Sequence, residues 1–162
     1  MTSDGDSGRE LLRHTVATLA YRGGKVLRGP TADFSTFRAN EQTRTPMEIV
    51  AHVGDLLDWA LCLAKGEQKW SNATPQVWER EVERFFEALR HFDEYLASEK
   101  PLACSAKSLF QGPVADALTH VGQIAILRRL AGIPVRGENY FKADIAVGRV
   151  GAEQAAPVFE FD

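Results

Sequence analysis

A chain of 162 residues with a formal net charge of −3 has room for one domain with a real core and carries no cationic excess for a nucleic acid. Hydrophobic residues make up 44% and charged residues 25%, the balance of a soluble globular protein, and no apolar run approaches the roughly 20 residues that span a bilayer. The opening MTSDGDSGRE has no apolar signal core, and the only cysteines, Cys62 and Cys104, lack metal-ligand spacing. These features lead to the expectation of a cytoplasmic protein with free thiols and with no membrane or nucleic-acid partner.

Four long helical patterns organise the chain. In the first, residues 7–27, Leu11, Leu12, Thr15, Val16 and Leu19 recur at helical spacing. A loop over 29–44 carries Phe34 and Phe37, two aromatics expected to pin it to the core. The second helix has the clearest start: Thr45 as N-cap, Pro46 at the first helical position and Glu48 completing a capping box. Its stripe is Ile49, Val53, Leu56, Leu57, Ala60 and Leu63, and Gly66 is the expected stop. The third is expected to start at Thr74-Pro75 and run to about residue 98, with Val82, Phe85, Leu89, Phe92 and Leu96 inside. A connection over 101–111 leads to the fourth, expected to start at Gly112-Pro113 and end at Gly132. Gly122 inside it costs about 1 kcal/mol against alanine, which a close helix–helix approach would explain. Residues 133–162 lose the helical period, yet Tyr140, Phe141, Ile145, Val147 and Val150 are too apolar for a free tail. The fold expected is all-α: one domain over 1–162, a four-helix bundle over about 7–132 and an ordered non-helical extension over 133–162.

The chemistry lies on the second and fourth helices. Asp116 and His120 are four residues apart and share a face, and His52 can meet them from a neighbouring helix. Two imidazoles and a carboxylate suit a divalent transition metal with open positions. The plainer alternatives are a satisfied boundary histidine at His52 and a local helix pair at Asp116 and His120. Asp55, one turn from His52, reads as a partner behind the ligands or as a surface residue. Gln123 reads as lining the same cavity or as an ordinary helix–helix hydrogen bond. Glu138 and Tyr140 read as polar groups folded over the site's mouth or as a turn packed by the tyrosine. His14 and His91 have no companions at ligand spacing, while Trp59, Trp70 and Trp78 read as core or dimer contacts.

A histidine early in the second helix, followed by the stretch Asp116-Ala-Leu-Thr-His120-Val-Gly-Gln123 and then Arg129-Leu-Ala-Gly132, resembles the DinB-like superfamily. The resemblance implies an up-down-down-up four-helix bundle and a homodimer. It also implies a divalent metal held by one histidine on the second helix and two on the fourth. His52 matches the first of these and His120 the last, while Asp116 stands where the family most often has histidine. Zinc, nickel, iron and manganese all remain open as the metal. Some members transfer low-molecular-weight thiols, so the implied function is a metal-dependent transferase or hydrolase acting on a small-molecule substrate through activated water or thiol. The alternatives are a non-catalytic bundle that binds a metal or small ligand or serves in assembly, and a vestigial site in which Asp116 merely pairs with His120. The up-down-down-up path makes the second and third helices parallel, and the expected boundaries leave about seven residues to link them. Extended chain spans at most about 3.3–3.6 Å per residue, so that link would be taut.

Overall fold

The computed structural model describes residues 4–30 and 32–161. The chain is mostly helical, and among the described residues no helix is long and apolar enough to cross a membrane. Four long helices, α1 (Asp4–Leu27), α3 (Pro46–Lys65), α4 (Trp78–Ala97) and α6 (Ala115–Leu130), share one core. Short helices α2 (Ala32–Ser35) and α5 (Ala106–Leu109) interrupt the connections. Phe85, Phe92, Leu19, Leu57, Leu89 and Ile124 are the large side chains at the centre. Phe34 is buried, stacks on Phe37 and meets Trp78 edge-on, so the 29–44 loop is pinned as its aromatics suggested.

The start of α3 follows its sequence signals. The Thr45 side chain accepts the Glu48 N–H, the Glu48 carboxylate accepts the Thr45 N–H at 2.7 Å, and Pro46 opens the helix. Gly66 closes it in the left-handed region at φ 84°.

The expected start of α4 at Thr74-Pro75 is incorrect. The helix begins at Trp78, because the amides that precede it are bound by side chains from elsewhere. The Ala73 N–H donates to the Asp55 carboxylate, and the Gln76 N–H donates to Glu81 Oε1 at 2.8 Å. Residues 66–77 therefore link α3 to α4. Extended, that stretch reaches about 40 Å, more than the roughly 30 Å rise of a 20-residue helix, so the tension over its length disappears.

Helix directions follow from which ends meet. Arg9 donates to the Ser98 carbonyl, Arg13 pairs with Asp93 at 2.9 Å, and Gly23 lies against Phe85, so α1 and α4 run opposite ways. Arg84 donates to the Ala51 carbonyl and to Asp58, while Lys65 sits over the Tyr95 ring, so α3 and α4 run the same way. The Ala103 N–H donates to the Ala64 carbonyl, and His52 meets His120, so α3 and α6 are antiparallel. Gly54 lets the Arg84 guanidinium lie on α3, since a Cβ there would stand 2.9 Å from Arg84 Nη1.

The fourth pattern also begins elsewhere than expected. The helical path starts at Ala106 behind an N-cap at Ser105 and passes through a π-helical turn, Phe110–Val114, before α6. Pro113 lies inside that turn and does not open a helix. It has no N–H, and its ring crowds the carbonyl four residues back, both of which a wider turn relieves. Gly122 has no neighbour within 4 Å of where a Cβ would stand, so the expected close helix approach is absent there among the described residues.

The 133–161 segment lies along α1. Strands β1 (Gly137–Glu138) and β2 (Glu160–Phe161) pair antiparallel. Buried Glu138 accepts from Tyr21 Oη at 2.5 Å and Lys25 Nζ at 2.7 Å, and Lys25 also donates to Glu160. Burial, followed by the Glu138 carboxylate, pushes the Tyr21 phenol well above its ordinary range, so it remains a donor.

Candidate metal centre

Three ligand-capable side chains converge between α3 and α6. One ligand atom each from His52, Asp116 and His120 lies within 4.8 Å of the others. His52 stands beside the apolar stripe of α3 and turns its ring toward α6, where it meets His120 edge-on with centroids 4.8 Å apart. Trp70, from the α3–α4 link, packs against the His52 ring at 5.9 Å, and Trp59 backs Trp70 at 5.6 Å. The first ring is thus held between an indole and the second imidazole.

His120 is oriented from within its own helix. Its Nδ1 lies 2.8 Å from Gln123 Oε1, and its Nε2 lies 3.5 Å from Asp116 Oδ1. An amide oxygen only accepts, so Nδ1 donates to it, and Nε2 faces the Asp116 carboxylate. A ring nitrogen and a carboxylate directed at one another hold a proton or a cation between them. The Asp116 side chain is half exposed and free to adjust.

His52 is shifted toward its neutral form. Burial is the main cause, and the charges of His120 and Arg44 act in the same direction against Asp116 and Asp55. Neutral imidazole is the form that ligates a metal.

The donor set fits a divalent ion. Ligand atoms about 2.1 Å from one tetrahedral ion are about 3.4 Å apart, which the 3.5 Å separation of His120 and Asp116 already matches. The third ligand atom, on His52, lies within 4.8 Å of the other two. Three protein ligands leave coordination positions open, and those open onto a cleft of about 790 Å³ bordered by Arg44, Ile49, Ile126, Leu127 and Leu130 as well as both histidines and Gln123.

The other candidates lie apart from the ligands. Asp55 is buried, but its oxygens take the Arg84 guanidinium and the Ala73 N–H, so it ties the link to α3 and α4. Glu138 and Tyr140 sit on α1, where Tyr140 meets Tyr21 edge-on and receives the Arg22 guanidinium over its ring. Neither borders the cleft, and the turn packed by Tyr140 is the arrangement found. Trp78 packs on Phe34, away from the Trp59–Trp70 pair. Burial raises the pKa of the Cys62 and Cys104 thiols, so neither is activated.

Sequence reasoning missed Arg44, Ile126 and Leu130 as cleft residues. A large aromatic in the polar run GEQKWSNATP signalled that Trp70 must pack on something, though not that its partner is His52. No protein-family model, curated protein or solved structure matches this chain.

Proposed function

We propose that this chain is a divalent-metal protein in which His52, Asp116 and His120 hold the ion. In this reading it is a DinB-like four-helix bundle running up-down-down-up, with a C-terminal extension that, against expectation, is not wholly non-helical, since Tyr140–Lys142 form a 3-10 turn. The observation that carries the reading is the convergence of three ligand atoms within 4.8 Å at the edge of a cleft. The helix directions support the path, and the stretch from Asp116 to Gly132 supports the family. A divalent ion held there supplies a Lewis acid with open positions, able to acidify a coordinated water or thiol.

The protein's own groups do the rest. Gln123 fixes the Nδ1 proton of His120 and so aims Nε2. Trp70 covers one side of His52 and limits water there. Asp116 brings negative charge, which favours a harder ion than a set of three imidazoles would. The cleft seats a small-molecule substrate beside the ligands, and the reaction class is transfer or hydrolysis. The homodimer implied by the same resemblance belongs to this proposal and is read by sedimentation equilibrium.

The test is elemental analysis of untagged protein beside His52→Ala and His120→Ala. Stoichiometric zinc, nickel, iron or manganese in the parent, lost in both variants with helicity intact, is the expected result. A parent that takes up none of the four ions refutes the reading, as do variants that bind as the parent does. The reaction itself is tested by turnover of thiol or hydrolysable substrates, lost on metal removal and restored by adding the ion back.

A further inference from the structure

We propose that the cleft beside the three ligands takes a small amphiphilic monoanion, a carboxylate carried on an apolar body. This deepens the metal reading by naming the substrate class of that site, although the side chains that form the seat need no metal to act.

Two independent features carry it. The first is an apolar stripe along α6 that is left to water. Ile126 is 57% exposed and Leu130 60%, on the same side of the helix as Gly122 and Thr119, and Ile49 and Leu127 lie behind them as a floor. Gly122 has open space where a Cβ would be, so the stripe is concave at its middle. A contiguous exposed apolar surface facing a cavity marks a binding surface more often than chance.

The second feature is Arg44 on the rim of that cleft. Among the described residues its guanidinium has no hydrogen bond or ion pair to the protein, yet its charge is felt at His52. A guanidinium recognises a carboxylate through two parallel hydrogen bonds. One free cation beside an apolar wall matches one negative charge joined to hydrocarbon. Among the described residues Arg44 is the one lysine or arginine bordering the cleft, so the side chains offer a single fixed positive charge. In the arrangement proposed, the carboxylate pairs with Arg44 and the body lies along Ile126 and Leu130.

Octanoate is the probe, with acetate and 1-octanol as comparators, titrated by calorimetry into full-length protein stripped of metal. Each fully buried methylene contributes about fourfold in affinity, so two of them already separate octanoate from acetate by more than about tenfold. Octanoate also binds tighter than 1-octanol. Arg44→Gln weakens octanoate by about fivefold and leaves 1-octanol unchanged. Ile126→Glu, at an exposed position that does not threaten folding, abolishes binding of both. Octanoate binding no tighter than acetate, or indifferent to Arg44→Gln, overturns the proposal. Zinc, nickel, iron(II) and manganese titrated into the same samples keep the two readings apart. Binding of any of these ions without octanoate binding overturns this inference alone, and octanoate binding without binding of any of the four overturns the metal reading alone. Absent octanoate binding together with a dimer that Ile126→Glu dissociates assigns the stripe to a second copy of the chain, which also overturns the inference.

Discussion

Replacing Gln123 by leucine removes the acceptor from His120 Nδ1 without altering any atom proposed to face the metal. The imidazole sits 2.8 Å from Gln123 Oε1, and this contact keeps Nε2 directed toward Asp116. Loss of such a supporting partner typically costs 10–100-fold in metal affinity. Gln123 is exposed, so water can replace part of the lost contact, and the lower end applies: about tenfold, or about 1.4 kcal/mol. Gln123→Glu keeps an acceptor and adds charge, so it holds or raises affinity, whereas His120→Ala removes a ligand and loses more than Gln123→Leu. The assay is competition for zinc against a chromophoric chelator, with circular dichroism confirming that each variant folds. Parent-like affinity in Gln123→Leu alongside a large loss in His120→Ala would refute the orienting role. Equal affinity in all four proteins would remove His120 from the site altogether.

Three further outcomes follow from the packing. The Glu48 carboxyl is held below its ordinary range, chiefly by the Thr45 N–H and also by Arg38, so it stabilises the fold above its unfolded pKa and loses that contribution as pH falls through the folded value. Glu48→Gln is therefore less stable than the parent at neutral pH, by under about 1 kcal/mol at a half-exposed site, and urea melts of the two converge as pH falls through the folded value; a gap that widens in acid contradicts this. Arg128 is buried and donates to the Val26, Arg28 and Ile133 carbonyls, each at 2.9 Å; Arg128→Met strands these acceptors and lowers denaturant stability by on the order of 3 kcal/mol, and a loss within error would show that water serves them equally well. Gly23→Ala and Gly122→Ala change stability in opposite directions: the first places a Cβ 2.5 Å from Phe85 Cζ and costs about 1–2 kcal/mol net, whereas the second enters open space and gains up to about 1 kcal/mol, and thermal melts with the same sign for both would refute the packing argument.

What the sequence made legible is what depends on neighbours along the chain. The capping box at Thr45 and the glycine stop at Gly66 are local chemistry and occur where the residues place them. The pairing of Asp116 with His120 is one helical turn, and His52 joins them because an antiparallel helix brings its early residues to that level. Features set by distant partners were not legible. The late start of α4 depends on Asp55 and Glu81 capturing loop amides, and no local pattern announces that. Trp70 and Arg44 reach the site from irregular segments, where no period indicates which side a residue faces. Pro113 carries the signature of a helix start and sits instead within a helical path, because the turn around it is wide enough to do without its amide.

That wide turn sets the phase of the site. The Ala115 N–H reaches back to the Phe110 carbonyl, five residues away, so the turn holds one residue more than an α-helix would spend. A single residue is about 100° of rotation. Before the turn, Leu109 points into the core; after it, Ala117, Val121 and Ile124 do, with Asp116 and His120 beside them. With the extra residue removed, an unbroken helix that kept Leu109 inside would swing the acid and the imidazole about 100° away from His52. The two halves are therefore indexed separately, like two dials joined through one detent. Where Asp116 and His120 point is decided by how many residues separate Leu109 from Ala115, five positions none of which is itself a proposed ligand.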